Sequence, residues 1–305
     1  MTHPNVIALT GGTGFVGSNV LTHLLEAGYH VRLLSRNPHH AFPTSERIKI
    51  IPGDLQNHAA LKNLIAGCSS VVHCAGRVRG RDFAAFDADN VIATQELFSL
   101  VTNEPTVNNF INISSLAARH PHLSNYAKSK KLAEEALSAK NNWITIRPPA
   151  LYGPNDTELR PLFDTMKKGI SIVPSNKKHK FSLLHITDLC QIILLGLNNK
   201  LPFNTIYEPD DGEINGYLWS EINTIASQVF GRKIHSITVP KMMLKGVAHM
   251  NMLFSSLNDS PPMLTPDKVN ELCFPNWVAD PKMSVPNWRA EISLKQGLKI
   301  LYSLK

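Results

Sequence analysis

The sequence predicts an α/β fold, a doubly wound parallel sheet with helices on both faces, followed by a smaller C-terminal α+β lobe. Three observations predict it. Short apolar runs alternate with helical periodicities through residues 5–146, a glycine-rich turn joins the first run to the first helical pattern, and prolines at 154, 161, 174, 202 and 209 break the later chain into shorter elements. Strands separated by helices pair in parallel, because a parallel pair needs a long crossover.

Residues 5–10 form an apolar run that stops at glycines and suits a buried strand. Residues 15–27 show helical spacing through Val16, Val20, Leu21, Leu24 and Leu25, and Gly28 closes that helix. Residues 30–34 read as the second strand, 48–51 as the third, 59–66 as a helix, and 70–74 as the fourth strand, closed by Ala75 and Gly76. A helix is predicted over 86–101, a strand over 109–114, a helix over 126–139 and a strand over 143–146, stopped by Pro148 and Pro149. Residues 1–150 are therefore expected to form the sheet domain, with a strand and helix near 181–198 returning to it. Residues 151–305 form mainly a second lobe, for which Trp219, Trp277 and Trp288 supply an aromatic core.

Composition narrows the partners. With 305 residues, 43% hydrophobic and 18% charged, the chain can bury a full core and is neither disordered nor collagen-like. Its formal charge of +7 is dispersed, which suits anionic small molecules such as phosphates and argues against nucleic acid as the main partner. Cys68, Cys74, Cys190 and Cys273 form no CxxC pair, and neither His39-His40 nor His120-x-His122 has further ligands nearby, so no disulfide scaffold and no metal site is expected. The first residues lack a basic then apolar leader pattern, and no apolar stretch is long enough to span a bilayer; the expectation is a soluble cytoplasmic chain with no transmembrane segment. Residues 242–254 read either as a helix lining an apolar substrate pocket, the commoner outcome, or as one touching a membrane surface.

The turn after the first strand, Gly11-Gly12-Thr13-Gly14-Phe15-Val16-Gly17, spaces glycines at 11, 14 and 17 between a strand and a helix. That context points to a dinucleotide pyrophosphate: Gly11 takes a tight turn, Gly14 lets the backbone approach the anion, and Gly17 allows close helix packing. The second strand ends in Ser35-Arg36, with no carboxylate before Glu46. A guanidinium there pairs with a 2′-phosphate, with Ser35 as a further donor, so NADP is favoured over NAD. The alternative is that Arg36 is only a solvated charge at a strand end.

Tyr126 and Lys130 stand four residues apart in Tyr-Ala-Lys-Ser-Lys, on one helix face. A nearby ammonium would favour the phenolate and fit the phenol for proton exchange with a hydroxyl or carbonyl oxygen. Ser114 and Ser115 end the preceding strand, where one could hydrogen-bond the same oxygen. Lys128 and Lys131 lie off that face. Arg77, Arg79 and Arg81 follow the fourth strand and either reach a phosphate or acidic substrate or are solvated.

On these residues the chain resembles the extended short-chain dehydrogenase/reductase superfamily, the NAD(P)-dependent epimerase/dehydratase group, with its Rossmann-type sheet. The Thr-Gly-x-x-Gly-x-x-Gly loop is matched from Thr10 to Gly17, including Thr13, Phe15 and Val16. Asp54-Leu55 resembles the pair near the adenine, and His73-Cys74-Ala75-Gly76 the turn under the cofactor. Asn90 resembles an asparagine that supports the active-site helix, and Pro148, Ala150 and Leu151 lie in a segment resembling Arg-Pro-x-x-x-Tyr-Gly-Pro beside the nicotinamide. The resemblance implies a catalytic triad of Ser115, Tyr126 and Lys130, with Lys130 also on the ribose, a structural His185-x-x-Asp188, and a homodimer. Two departures matter. Only 11 positions separate Ser115 from Tyr126, fewer than in nucleotide-sugar epimerases, and Leu116-Ala117 replaces the acidic pair of the dehydratases. Asn276-Trp277, Trp288 and Leu294-x-x-Gly297-Leu298 are closer to the dihydroflavonol-reductase and 3β-hydroxysteroid-dehydrogenase-like branches.

The leading expectation is an NADP-dependent oxidoreductase acting on a small-molecule carbonyl or alcohol. A 4-epimerase that retains its NAD, and a non-catalytic dinucleotide-binding sensor or assembly subunit, are the alternatives.

Overall fold

The computed structural model describes residues 5–37, 42–138, 142–257 and 264–304. His39, His40, the leader pattern over residues 1–4, and the expected end of the helix at residue 139 lie outside the described residues.

The first half builds as its periodicities predict. Strand β1 (Val6–Thr10) leads into helix α1 (Phe15–Glu26), and β2 (His30–Ser35), β3 (Ile48–Pro52), α2 (His58–Ile65) and β4 (Ser70–His73) follow. Helix α1 stops before Gly28, whose φ of 88° is a left-handed conformation that a side chain would strain. The single helix expected over 86–101 has three parts: α3 (Phe83–Phe86), a π-helical segment (Asp87–Ile92) and α4 (Ala93–Thr102). A π-turn inserts an extra residue per turn, and such insertions are frequent at functional sites; this one carries Asn90. Strand β5 (Asn109–Ile113), a 3-10 turn (Leu116–Arg119), helix α5 (Asn125–Glu135) and β6 (Trp143–Ile146) complete this half.

The second half supplies β7 (Ala150–Tyr152), α6 (Arg160–Lys167), β8 (Ile170–Pro174), β9 (Lys180–Phe181), β10 (Leu183–His185), α7 (Ile186–Leu197) and β11 (Thr205–Tyr207). Then come β12 (Tyr217–Leu218), α8 (Trp219–Phe230), β13 (His235–Val239), α9 (Lys241–Leu257), α10 (Pro266–Leu272), β14 (Asn276–Trp277) and α11 (Leu294–Leu301).

Seven parallel strands form the main sheet in the order β11-β6-β5-β4-β1-β2-β3. The order reverses between β1 and β4, and in open α/β sheets ligands bind in the crevice at that point, beyond the carboxyl ends of the strands. β4 and β5 are buried at every position, as strands covered on both faces must be. On one face α1 and α7 pack Leu21, Leu24, Leu189 and Ile193 over the sheet. On the other, α2 and α4 bring Leu61, Leu64, Leu97 and Phe98 against Phe110.

Two expectations need correction. The helix returning near 187–197 does pack on the sheet domain, but the strand before it does not join the sheet: β10 pairs with β7 in a separate two-stranded ribbon. The strand that does extend the sheet from the second half is β11, three residues that carry too little pattern to be read alone. Trp288, expected in the second lobe's core, packs on the main-sheet core instead. Trp219 does sit in the lobe's own core, with Tyr152, Phe163, Leu294 and Leu298.

Candidate active site

The nucleotide loop has the shape its glycines imply. Gly11 has a φ of 76°, and a Cβ there would lie 2.6 Å from the Ala75 nitrogen. A Cβ on Gly17 would lie 2.2 Å from the Gly11 oxygen, so α1 can seat on the loop only with glycine at that position. Gly14 differs. Its Cβ would meet only the Gly11 oxygen, at 3.4 Å, leaving open space in front of the α1 N-terminus. The first turn of α1 carries no acidic residue and no side-chain cap, so its N–H groups and positive dipole end remain suited to a phosphate. These residues fit a dinucleotide.

Beside the loop, Thr10 Oγ1 lies 2.8 Å from His73 Nδ1, and His73 Nε2 lies 3.0 Å from Thr94 Oγ1, which donates to the Asn90 carbonyl at 2.6 Å. Burial pushes the His73 imidazole down to about 3, helped by the positive Lys130. Asn90 donates to the Arg77 carbonyl (3.0 Å) and to Ser129 Oγ (2.8 Å) on α5, and accepts from the Arg77 N–H (2.6 Å). A buried polar chain thus runs from the loop through the π-segment to the helix that carries Tyr126 and Lys130. Cys74 lies in this turn, half-buried, its thiol pushed up to about 12 by burial.

Helix α5 begins where Ser124 caps it, accepting from the Ala127 N–H at 2.9 Å. The Lys130 ammonium donates to the Ile113 carbonyl at 2.9 Å, and a Cβ on Gly76 would stand 3.3 Å from its nitrogen. Burial lowers the Lys130 amine to about 8, against the opposing pull of Glu134. The Ser115 side chain stands by the Tyr126 phenol and acts to lower it, and its oxygen accepts from the Ala117 N–H at 3.2 Å. Ser115, Tyr126 and Lys130 therefore come together at the carboxyl ends of β4 and β5.

One electrostatic expectation is overturned. The Tyr126 phenol is raised above its ordinary value, because burial outweighs the Ser115 hydrogen bond and the cation that opposes it. That cation is Lys268, 5.9 Å from the ring centroid, not Lys130. A second correction concerns Ser35, whose hydroxyl donates to the Asn37 carbonyl at 2.8 Å and accepts from the Asn37 N–H at 3.2 Å. The donor assigned to a phosphate is used inside a turn. Arg36 is exposed beside it. Asp54 accepts from the Gln56 N–H at 3.0 Å, Leu55 packs on the core, and the Pro148 carbonyl accepts from the Leu116 N–H at 3.0 Å. Ala150 and Leu151 are half-buried in β7, where the ribbon leaves the sheet domain.

Sequence reasoning missed the frame around this site. Arg147 donates to Glu134 at 2.9 and 2.6 Å and to Glu208 at 3.1 Å, and Ser114 donates to Glu134 at 2.5 Å. Arg119 reaches Glu208 at 3.3 Å, and Glu208 accepts the Asp280 N–H at 3.0 Å. Glu134 stands four residues beyond Lys130 on α5, a spacing that could have flagged it; Glu208 follows the unread strand β11. From the second lobe, Glu271 accepts from Ser124 and from Lys268 (2.9 Å), and Asp267 accepts the Asn125 N–H at 3.3 Å, which ties α10 to the start of α5.

Over Tyr126 these elements close a cavity of about 210 Å³. Val78, Phe86 and Met252 give it apolar wall; Arg79, Arg81, Lys268, Glu158 and Asp267 give it charge. Arg79 pairs with Glu158 at 2.5 Å, Arg77 with Asp89 at 2.7 Å, and Arg81 donates to the Ser255 carbonyl. His185 and Asp188 act on the frame: His185 caps α7, and Asp188 accepts the N–H groups of Glu291 and Ile292 at 3.0 and 3.2 Å.

A Rossmann sheet with this glycine loop defines a class, and the comparison agrees with it: residues 7–207 match the NAD dependent epimerase/dehydratase family, and the chain belongs to that family. It is an NAD(P)-dependent oxidoreductase or epimerase of the extended short-chain dehydrogenase/reductase type. Among its relatives are a ceramide reductase of Caulobacter vibrioides, 31% identical over 89% of this chain and 85% of that one, and a 3-beta-hydroxysteroid dehydrogenase of Mycolicibacterium neoaurum, 24% identical over 89% and 83%. A solved UDP-glucose 4-epimerase of Thermotoga maritima shares the fold, with a TM-score of 0.74 at 16% identity, covering 98% of this chain and 97% of that one.

Proposed function

We propose that the chain is an NADP-dependent oxidoreductase that interconverts a carbonyl and a secondary alcohol, with Tyr126 as the proton donor and acceptor. The observation that carries this reading is Tyr126 in the wall of the cavity, with Lys130 one helical turn on, donating to the Ile113 carbonyl and standing against Gly76. Gly11, Gly14 and the first turn of α1 would hold the pyrophosphate, and Arg36 the 2′-phosphate. When bound, the coenzyme supplies or accepts the hydride.

The chain's own residues handle the proton. A phenol raised by burial stays protonated at neutral pH, so Tyr126 is poised to donate to a carbonyl oxygen as charge builds there. Ser115 would hydrogen-bond the same oxygen and hold it in line. Lys130 places a positive charge under the site and offers a donor toward a ribose. The names of the relatives, ceramide reductase and 3-beta-hydroxysteroid dehydrogenase, support a substrate with a large apolar body and a small oxygenated end.

The test is consumption of NADPH against a panel of carbonyl compounds that includes long-chain and steroid ketones. Tyr126→Phe is expected to lose about 10² to 10⁴ in kcat while NADPH still binds. Gly14→Val is expected to lose coenzyme binding, and Arg36→Ala to weaken NADPH about ten-fold or more without changing NADH. Turnover that survives Tyr126→Phe defeats the proposal. Product formation without net NADPH consumption favours a 4-epimerase.

A further inference from the structure

Lys268 reaches the Tyr126 ring from the second lobe. Its ammonium lies 5.9 Å from the ring centroid, in the wall of the same cavity, and Phe86 meets that ring edge-on at 6.3 Å. The helix that carries Lys268 is tied to the three positions before Tyr126. Asn270 donates to the Leu123 carbonyl at 3.4 Å, Glu271 accepts from the Ser124 hydroxyl, and Asp267 accepts the Asn125 N–H at 3.3 Å. Lys268 donates to the same Glu271 at 2.9 Å. A lysine paired three residues along an exposed helix is ordinarily loose, and such a pair contributes little. Here the carboxylate is only 6% exposed and is shared with the residue that caps α5, so the ammonium and the phenol are placed by one set of contacts.

We infer that Lys268 is a positioning residue of the reaction: its ammonium steadies the negative charge that proton donation leaves on Tyr126, so the second lobe supplies part of the catalytic electrostatics. The inference rests on the reading of Tyr126 as the proton donor. In carbonyl reduction the Tyr126 O–H bond breaks and its proton passes to the substrate oxygen, while the substrate carbon takes a hydride from the reduced dinucleotide. The electron pair of that O–H bond stays on Tyr126 as a phenolate, in a cavity sheltered from water where an unpaired anion is costly. Other cations near the site are engaged. Lys130 donates to the Ile113 carbonyl at 2.9 Å, Arg79 pairs with Glu158 at 2.5 Å, and Arg81 donates to the Ser255 carbonyl. The groups acting on the phenol are Ser115 from the turn after β5, Lys268 and Glu271 from α10, and Glu158 from the loop after β7. Ser115 and Lys268 favour the anion, and the two carboxylates oppose it; Asp267 stands in the same wall. Lys268 keeps its own charge, because Glu271, Tyr126 and Glu158 outweigh the effect of its burial. A unit charge at such a distance, in surroundings between water and dry protein, changes the balance of phenol and phenolate by about ten-fold or more.

The experiment is a double-mutant cycle on the full chain, with NADPH and the ketone of the panel that is turned over. Lys268→Gln removes the charge and keeps a donor for Glu271, whereas Lys268→Arg keeps the charge. Lys268→Gln is expected to lower kcat about ten-fold or more with KM within about two-fold of wild type, and Lys268→Arg to stay within about three-fold in both. In the reverse direction, with NADP and the product alcohol, the rate climbs with pH as Tyr126 loses its proton, and Lys268→Gln is expected to move that limb up by about one unit. In the Tyr126→Phe background Lys268→Gln is expected to cost nothing further, because its effect passes through the phenol. A merely structural role would lower the melting temperature and would slow both backgrounds alike. Equal kcat in Lys268→Gln and wild type overturns the inference while the loss in Tyr126→Phe leaves the reductase reading standing. So does an equal fall in both backgrounds, or an unmoved limb. Full turnover in Tyr126→Phe overturns that reading and this inference with it.

Discussion

Helices α5 and α9 border the same cavity, and almost everything about their surroundings differs. Helix α5 is gripped from several sides: Asn90 reaches Ser129, Arg147 and Ser114 hold Glu134, and Glu271 and Asp267 close on its first turn. Helix α9 is held by a small apolar cluster around Ala248, Val269 and Cys273, and leaves six large apolar side chains outside. The contrast teaches what each task requires. The proton transfer proposed for Tyr126 would need its phenol oxygen placed to within a fraction of an ångström, and saturated buried hydrogen bonding around the helix fixes it closely. The bulky substrate proposed for the cavity would need a wall that can yield, and weak packing makes local opening inexpensive.

The difference can be broken most severely at Glu134. Glu134→Ala leaves Arg147 buried with one of its two carboxylates missing, and is expected to destabilise the fold by about 3 to 5 kcal/mol, read as a fall in denaturation midpoint. Chemical denaturation that leaves the variant within about 1 kcal/mol of wild type would show that the frame is not what holds α5.

His73, at the start of the polar chain to α5, gives the next effect. Its imidazole lies at about 3 in the fold against an ordinary 6.5, so the unfolded chain takes up a proton first as the solution is acidified. The stability contribution is complete above pH 6.5 and is lost as pH falls toward 3, by on the order of a few kcal/mol. Melting temperature against pH should show this slope, and His73→Gln should flatten it.

Lys130 sharpens the comparison within α5. It is charged below about 8 and loses that charge as pH rises, so the reduction rate is expected to decline above pH 8 by at most about ten-fold per unit. An alkaline limb that persists in Lys130→Met would assign it elsewhere. On α9 the expected effect on stability is smallest: Met250→Ser and Leu253→Ser should each change it by less than about 0.5 kcal/mol, because both side chains already lie in water. A larger loss would mean that this face is covered in the free protein.

How much could be read from the chain varies with how local the cause is. The βα alternation over residues 6–146 and the loop at Gly11, Gly14 and Gly17 were legible because strand burial, helical period and glycine spacing are written within a few residues of one another. The grouping of Ser115, Tyr126 and Lys130 was legible from spacing and strand-end position together. The three-residue strand β11 was not, because a strand that short acquires its conformation from pairing with β6. Nor was the division of 86–101 by a π-segment, since Asn90 gains its partners only when Arg77 and Ser129 converge on it.

The amino-acid order by itself determined the parallel sheet, the glycine-rich turn and the spacing of the Tyr-Lys-Ser group, because each rests on short-range pattern and backbone sterics. Only the tertiary structure decided the protonation of that group and the wall over it. Burial and the approach of Lys268 from 142 positions along the chain set the phenol's charge state, and the packing of α9 and α10 over Tyr126 set the cavity; both arise where distant segments meet and water is excluded.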